Sequence, residues 1–472
     1  MTKLLLPQRE RFVMLIRFSV KNFRSFGQND MTLNMVSSSK IQKHRDHICK
    51  TDLPIKILRN AVIYGANAAG KSNLVKALYF FVESVKNGGL PNGISKEFCR
   101  TCQDNAHEET IFDIQIEVDG RCFDYGFSCL LESSSIKSEW LYLLKERKDS
   151  ERLFERNTES GINLFVNEDD DDIKRFEVYR DDFVNSVGLA SSKLFLSNLN
   201  DGKSFSGESS LGFFSQVYKW FESNVRIFSV GMLSPNWNFY LESSLEDVGE
   251  LLASFDTGIT GLKKVSVPID ELSNHVPSAL LIDLKRAFDQ AEVADEKRVL
   301  GATVRSEDLF FGLSKNAKGE IEATMMKIHH GRSPFEYDYG DESDGTKRLF
   351  DFVDLILDSH EDTTYIVDEL SLSLHPLLTQ HIIELFNKAH KDDGCQLIFT
   401  THENDIMSFD YFRRDEIWFV ERNSEGESVL YPLDKFVDTV RSDTRASKNY
   451  MEGRYGGIPV LSLDRSLAAI GE

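Results

Sequence analysis

Hydrophobic and polar positions alternate in the first third of the chain, which predicts β-strands there. The stretch from Leu15 to Phe26 alternates in part and is expected to form the first strand, with the residues before Met14 as a frayed extension. The segment from Ile111 to Phe127 alternates on both sides of Asp119-Gly120, a pair that favours a two-residue hairpin turn. The sequence therefore predicts a β-hairpin lobe.

Two regions combine short apolar strands with helices of 3.6-residue period. In the first, NAVIYG is followed by a glycine-rich turn and by a helix in which Leu74, Leu78 and Phe81 share one face. After residue 320 the pattern gives helix, strand, helix and strand, in the segments TKRLFDFVDLIL, TTYIVDEL, PLLTQHIIELFNKAH and CQLIFTTH. Such alternation predicts a parallel sheet covered by helices, so one α/β domain begins and ends the chain.

The middle of the chain, from about residue 170 to 310, has a helical and less regular pattern, and we interpret it as an inserted helical subdomain. Its opening acidic run, Glu168 to Asp172, is best explained as a solvated loop. No heptad repeat is sustained in the sequence, which argues against long coiled-coil arms. We expect three parts: the N-terminal half of the α/β domain with its β lobe at 14–165, the helical insertion at 166–315, and the C-terminal half at 316–472.

The formal charge of −21 over 472 residues argues against a surface that coats nucleic acid, because such binding needs clustered Lys and Arg, although local basic patches remain compatible with it. No apolar run reaches the roughly 18 to 20 residues of a membrane span, so we expect a cytoplasmic protein without a membrane partner. Six cysteines in so long a chain do not suggest a disulfide framework. The spacing of Cys99, Cys102, Cys122 and Cys129 does not fit a zinc ribbon.

The segment from Gly65 to Ser72, GANAAGKS, fits the GxxxxGK[ST] pattern of a phosphate-binding loop, here called the phosphate loop. It lies between an apolar strand and an amphipathic helix, which is the context that the pattern requires. Glycines let backbone N–H groups approach phosphate oxygens at a helix N-terminus, where the dipole favours negative charge. Lys71 would reach the β- and γ-phosphates and Ser72 would ligate Mg²⁺. The predicted nucleotide ligands of this segment are Gly65, Asn67, Gly70, Lys71, Ser72 and Asn73.

Two further strand ends carry polar groups that suit nucleotide hydrolysis. Asp368 and Glu369 follow an apolar strand, where successive side chains point to opposite sides, so different roles are expected. Asp368 would hold Mg²⁺ and Glu369 would polarise the attacking water. His402 closes the next apolar strand, at the edge of the sheet where α/β folds bind ligands, and could contact the γ-phosphate.

A fourth segment, ESDGTKR from Glu342 to Arg348, precedes a helix with an apolar stripe, and Ser343 is a plausible N-cap. The spacing favours a functional role for this segment, because a helix and a strand fill the interval between Ser343 and Asp368. On its own, this segment is better explained as an ordinary helix start.

With GANAAGKSN, ESDGTKRL, VDELSLSLHP and FTTHEND in this order, the chain resembles the SMC/ABC-type ATPases of the bacterial abortive-infection and antiphage group, which includes Septu PtuA, PARIS AriA and the ATPase part of OLD proteins. KNFRSF, DTGI, RRDEIWFVE and GRYGGIP are also similar to segments of that group. The resemblance implies an α/β, ABC/SMC-type P-loop head that binds ATP and Mg²⁺, with Lys71, Glu369 and His402 as catalytic residues.

The resemblance also implies that two heads sandwich two ATP molecules. Ser343, Gly345 and Thr346 would then act as a signature motif that contacts the γ-phosphate held by the partner head, and Arg24 would lie near the ribose or phosphates. The signature lacks the LSGGQ form of transporters, and Ser371 stands where many relatives carry an acid. Hydrolysis is therefore expected to be slow or to depend on a partner.

Three functions are compatible with these motifs. The first is a defence ATPase whose ATP-dependent homodimerisation, or higher homo-oligomerisation, regulates an effector nuclease or toxin in another chain; the sequence contains no recognisable nuclease motif. The second is an SMC-like DNA-maintenance ATPase that binds duplex DNA. The missing heptad repeats and the excess of acidic residues argue against this function. The third is a transport ATPase, which would need a membrane partner.

Overall fold

The computed structural model describes residues 13–49, 51, 53–145, 150–158, 161–166, 171–186, 188–207, 209–229, 240, 244–268, 282, 286, 301–305, 309–315, 320–357, 362–436 and 446–459. The expected N-terminal extension and the acidic run lie mostly outside these residues. The chain divides into two compact units. The first comprises Met1–Ile227, Glu361–Leu370 and His390–Glu472, and the second comprises Phe228–His360 and Ser371–Ala389.

The first unit combines two large sheets with a set of helices. Its strands are β1 (Val13–Lys21), β2 (Met31–Asn34), β3 (Ile48–Cys49), β4 (Ile57–Leu58), β5 (Asn60–Tyr64), β6 (Thr110–Val118), β7 (Arg121–Leu130), β8 (Ser135–Leu144), β9 (Glu151–Asn157), β10 (Gly161–Leu164), β11 (Val225–Phe228), β17 (Thr364–Val367), β18 (Gln396–Thr400), β19 (Ile417–Arg422) and β20 (Ser428–Pro432). Its helices are α1 (Lys71–Lys86), α2 (Asp171–Asn185), α3 (Leu189–Ser192), α4 (Phe195–Asn200), α5 (Phe213–Ser223) and α10 (Ala446–Met451).

An antiparallel sheet forms the lobe that the alternating pattern predicts. Its strand order is β10-β9-β8-β7-β6-β1-β2. Strands β6 and β7 pair up to Val118 opposite Arg121. Asp119 and Gly120 join them with φ values of 53° and 75°, as a two-residue turn with two left-handed residues requires. The predicted hairpin is therefore confirmed.

The other large sheet of this unit has the order β11-β17-β18-β5-β19-β20. Strands β17, β18, β5 and β19 run parallel to one another. All residues of β5, β17 and β18 are buried, as in a sheet covered on both faces. Because the carboxyl ends of parallel strands meet at one edge, the loops after these strands come together there. The predicted α/β fold, with a parallel sheet and a β lobe, is confirmed.

Helix α1 begins at the last residues of the phosphate loop and anchors that loop to the core. Its predicted apolar face is buried, with Leu74, Leu78 and Phe81 at most 1% exposed. The Phe81 ring stacks on Tyr125 of β7 at a centroid distance of 6.0 Å. Burying side chains of this size stabilises a fold by about 1.5–3 kcal/mol each, so the helix gives the loop a fixed base.

The second unit has its own antiparallel sheet, in the order β12-β15-β14-β13 with β16 paired to β15. Its strands are β12 (Ile259–Val267), β13 (Gly301–Arg305), β14 (Phe310–Lys315), β15 (Ile321–His330) and β16 (Glu336–Asp338). Its helices are α6 (Leu245–Ser254), α7 (Asp344–Asp351), α8 (Val353–Leu357) and α9 (Pro376–Ala389). The helix predicted from TKRLFDFVDLIL is thus divided into α7 and α8.

The structure corrects the expectation of a wholly helical insertion at 166–315. Between Asp171 and Ser254 the described elements are helices apart from strand β11, but strands follow from Ile259 onward. The helical prediction fails over ITGLKKVSV, which forms β12. Its β-branched residues and sparse apolar positions suit a sheet with one face open to water. Most of the region from 269 to 300, which belongs to the predicted insertion, lies outside the described residues. Within the part of the chain that the structure describes, no helix is both long and apolar enough to cross a bilayer.

Candidate functional site

The phosphate loop lies between β5 and α1 and needs its two glycines for steric reasons. A Cβ atom on Gly65 would collide with the carbonyl oxygen of Val420 in β19. Gly70 has φ 121°, a conformation that side chains disfavour, and a Cβ there would overlap the hydroxyl of Ser428. Both glycines therefore let the loop pass close to the neighbouring strands at the carboxyl edge of the sheet.

Lys71 is the central cation of this edge. Its side chain is 4% exposed, and its ammonium donates to the carbonyl oxygen of Gly65 at 3.1 Å and to Nε2 of His402 at 2.7 Å. The Lys71 Nζ atom also lies 3.8 Å from Oε1 of Glu369. Burial lowers the pKa of Lys71, whereas the carboxylates of Glu369 and Asp368 act in the opposite direction. The structure thus brings three predicted catalytic residues into one cluster.

Ser72 and Asp368, the two predicted metal ligands, are in direct contact. The Ser72 hydroxyl donates to Oδ1 of Asp368 at 3.2 Å. Thr400 donates to the same oxygen at 2.7 Å, and Asp368 is 2% exposed. A hydroxyl and a carboxylate beside a phosphate loop are the hard oxygen ligands that Mg²⁺ prefers, so these residues fit that ion.

The two adjacent acids differ in position, although not for the reason that the strand pattern suggested. Strand β17 ends at Val367, so Asp368 and Glu369 lie in the turn that follows it. Glu369 has φ 53°, and its N–H donates to the hydroxyl of Thr400 at 2.8 Å. Its Oε1 lies 3.4 Å from Nε2 of His402. The left-handed residue, rather than strand alternation, separates the side chains.

His402 accepts a hydrogen bond from Lys71 and therefore has an unprotonated Nε2 in this arrangement. Burial lowers the pKa of His402, and the adjacent ammonium of Lys71 lowers it further. A neutral imidazole at this place can exchange its partner for another polar group without first losing a proton. A phosphate oxygen only accepts hydrogen bonds, so His402 must present an N–H, through a change of tautomer or by protonation, before it can contact one.

A cleft of about 360 Å³ opens over the phosphate loop, and we call it the loop cleft. It is lined by Asn67, Ala68, Gly70, Lys71, Ser72, Asn73, Glu369, His402 and Arg422. Most of the residues predicted from the phosphate loop therefore share one space with Glu369 and His402. Asn73 also donates from Nδ2 to the hydroxyl of Ser25 at 2.7 Å.

Arg24, which was predicted to lie near the nucleotide, is placed differently. It has φ 54°, and its guanidinium pairs with Oε2 of Glu97 at 2.7 Å. Its neighbour Ser25 reaches Asn73, but Arg24 is not among the residues that line the loop cleft. Its predicted contact with the nucleotide stays a prediction.

Sequence reasoning missed Thr400 and Arg422 as site residues. Thr400 holds the Asp368 carboxylate and the Glu369 N–H at once, and its position at the end of a parallel strand was the available signal. Arg422 ends β19, directly after the family-like segment RRDEIWFVE, and donates from Nε to the carbonyl oxygen of Ala68 at 2.8 Å. The contacts of both residues become recognisable only once the strand order is known.

The signature segment lies in the second unit and forms a helix start, as predicted. Ser343 is the N-cap of α7, and its hydroxyl accepts the N–H of Thr346 at 3.1 Å. A Cβ on Gly345 would lie 2.9 Å from the carbonyl oxygen of Ser373, so the glycine allows close packing there. Ser343 is exposed, which leaves the helix start accessible.

Comparison with known proteins identifies a family. A family model described as "AAA domain, putative AbiEii toxin, Type IV TA system" matches residues 61–408, which include the phosphate loop, the signature segment, Asp368 and His402. No curated protein matches the chain.

Several solved structures are similar to the chain at low identity. An SMC head bound to the C-winged helix domain of ScpA is 14% identical, covers 90% of this chain and 99% of its own, and has a TM-score of 0.40. The SMC head domain from Thermotoga maritima is 14% identical, with coverage of 89% and 98% and a TM-score of 0.34. The recombination mediator RecF with ATP, of the RecFOR pathway, is 15% identical, with coverage of 90% and 100% and a TM-score of 0.36. Similarity of this degree carries no argument about function.

Proposed function

Because the chain belongs to the AAA-domain family whose model spans residues 61–408, we propose that it binds and hydrolyses ATP with Mg²⁺ and uses this cycle to regulate an effector nuclease or toxin in antiphage defence. One observation carries the chemical part of the proposal. Lys71, Glu369 and His402 contact one another, and Ser72 contacts Asp368. Thr400 bonds to both acids and so joins the two groups, although their members come from distant parts of the sequence.

Each of these residues has a distinct part in the proposed reaction. Backbone N–H groups of the phosphate loop and the Lys71 ammonium bind the phosphates, while Ser72 and Asp368 hold Mg²⁺. The metal supplies charge neutralisation and orients the phosphates when it is bound. Glu369 orients and polarises the attacking water, and His402 contacts the γ-phosphate through a ring N–H that donates to a phosphate oxygen.

ATP-dependent pairing of two heads is the proposed output of this cycle. The exposed N-terminus of α7 offers Ser343, Gly345 and Thr346 to a second copy of the chain. A helix N-terminus attracts phosphate through its free N–H groups and its dipole. In the proposed dimer this end contacts ATP bound by the partner head, so only ATP-bound heads close. Closure then requires that ATP binds the paired state more tightly than the separate state.

The defence role rests on the family description and on the resemblance to abortive-infection ATPases, and it has a direct test. We would isolate the tagged chain from its native cells with and without Mg-ATP, alongside the Lys71→Ala variant. The proposal predicts a nuclease or toxin chain whose recovery depends on ATP and on Lys71, and phage protection that the variant lacks. Recovery of duplex DNA alone, with unchanged phage sensitivity, would instead support the DNA-maintenance function.

A further inference from the structure

We propose that Arg422 is a nucleotide-binding residue that donates hydrogen bonds to phosphate oxygens in the loop cleft, which deepens the proposed function and rests on it. Arg422 belongs to none of the ATPase motifs found in the sequence. It is the last residue of β19, the strand that runs parallel to β5 on the side away from β18. The carboxyl end of β19 therefore delivers its side chain to the same edge of the sheet as the phosphate loop.

The guanidinium is held in place by two carbonyl groups. Its Nε donates to the carbonyl oxygen of Ala68 at 2.8 Å, and Nη1 donates to the carbonyl oxygen of Gly426 at 2.6 Å. Ala68 is a phosphate-loop residue with φ 61°, and Gly426 belongs to the turn between β19 and β20. A planar guanidinium fixed at two of its nitrogens presents its remaining N–H groups in a defined direction.

The remaining donors of Arg422 face no competing partner in the described structure. Among the described residues, none accepts a hydrogen bond from Nη2 and none forms an ion pair with Arg422, while the side chain lines the loop cleft beside Gly70 and Lys71. Lys71, by contrast, lies near the carboxylate of Glu369. Arg422 is therefore the cation of this cleft whose charge is not offset by a carboxylate contact within the described part of the chain.

Charge explains why a second cation matters here. The protein carries a formal charge of −21, so its overall field opposes the approach of a polyphosphate. Within the loop cleft, the charge of Lys71 is opposed by Glu369, and His402 is neutral. An arginine with free N–H groups supplies both positive charge and the forked geometry that phosphate oxygens accept.

The test is a set of affinity measurements on the full chain. We would titrate adenosine, ADP and ATP calorimetrically, in EDTA so that the metal ligands are not involved, into the wild type, Arg422→Gln, Arg422→Lys and Lys76→Gln. Lys76 is the matched control, because it is an exposed residue of α1 close to the loop but does not line the cleft. Arg422→Gln should weaken ADP and ATP binding about 10- to 100-fold, in line with the loss of a charged hydrogen bond, and leave adenosine unchanged.

The controls separate the possible outcomes. Lys76→Gln should stay within about twofold of the wild type, and Arg422→Lys, which keeps the charge but not the fork, should fall between wild type and Arg422→Gln. Unchanged ADP and ATP affinity in Arg422→Gln would overturn the proposal, as would an equal loss for adenosine. If Arg422 only holds the strained Ala68, then Ala68→Gly should restore affinity to Arg422→Gln; a phosphate contact predicts no such recovery.

Failure of the proposed function would give a different set of results. If the wild type binds no nucleotide, or if Lys71→Ala binds ATP normally, the phosphate-loop assignment and the role of Arg422 are both contradicted. If the wild type binds ATP, and Lys71→Ala weakens ATP binding while Arg422→Gln does not, only the role of Arg422 is contradicted.

Discussion

Replacing Thr400 with valine tests whether a residue outside the recognised motifs organises the metal and water positions. Thr400 is fully buried, donates to Oδ1 of Asp368 at 2.7 Å and accepts the N–H of Glu369 at 2.8 Å. Valine has nearly the same shape but no hydroxyl. In the variant, Asp368 loses a donor and the Glu369 N–H loses its acceptor, so the two acids are no longer tied together.

The structure sets the expected magnitude. A buried group left without its hydrogen-bond partner costs about 1–3 kcal/mol, and a bond to a carboxylate is at the upper end of that range. We expect Thr400→Val to lower the free energy of unfolding by about 2–3 kcal/mol. Loss of a residue that orients a metal ligand typically weakens metal affinity or activity about 10- to 100-fold, so the Mg²⁺ concentration needed for half-maximal ATP turnover should rise by that factor.

The assay is ATP turnover measured across a Mg²⁺ titration, with urea unfolding of the same samples. Thr400→Ser keeps the hydroxyl and should retain the wild-type Mg²⁺ dependence. Thr401→Val is the matched control, because Thr401 is equally buried and its hydroxyl accepts the N–H of Glu403 at 2.9 Å. It should cost stability without changing the Mg²⁺ requirement. A wild-type Mg²⁺ titration in Thr400→Val, or an equal shift in Thr401→Val, would refute the reasoning.

Three further predictions follow from the site and the fold. Glu369→Gln should bind ATP normally but turn it over at least about 100-fold more slowly, and undiminished turnover would remove Glu369 from its proposed role. A mixture of Lys71→Ala and Ser343→Arg chains should regain part of the ATPase activity through mixed dimers, whereas no recovery after demonstrated mixing would contradict signature action between heads. Burial and the neighbouring Asp124 raise the pKa of Asp113 from 3.8 to about 8, so the folded protein holds a proton that the unfolded chain releases above pH about 4. This carboxyl therefore destabilises the fold increasingly as pH rises towards 8, and Asp113→Asn should raise the melting temperature at pH 8 but hardly at pH 4; equal shifts at both pH values would disprove this.

Local sequence signals predicted the parts of the fold that local chemistry determines. The turn at Asp119-Gly120, the N-cap at Ser343 and the glycines of the phosphate loop each require particular residues at particular positions, and the structure has them there. The contact between Ser72 and Asp368 was expected because strand ends in a parallel sheet converge.

Features that depend on distant pairing were not predictable in the same way. Strand β12 pairs with β15, about 60 residues further along, and nothing in ITGLKKVSV specifies that partner. Thr400 acquires its contacts because β18 pairs with β17, and Arg422 acquires its contact with Ala68 because β19 pairs with β5. The left-handed turn at Glu369 also follows from its bond to Thr400 rather than from a residue preference.

The central claim is that the phosphate loop and the acid after β17 jointly hold a nucleotide and its metal. A crystal structure with Mn²⁺ and a non-hydrolysable ATP analogue tests this most directly, because Mn²⁺ can replace Mg²⁺ and is located by anomalous scattering. The account predicts an anomalous peak between Ser72 and Asp368 and triphosphate density along the loop cleft next to Lys71. A nucleotide bound elsewhere, or a metal peak that contacts neither Ser72 nor Asp368, would contradict it.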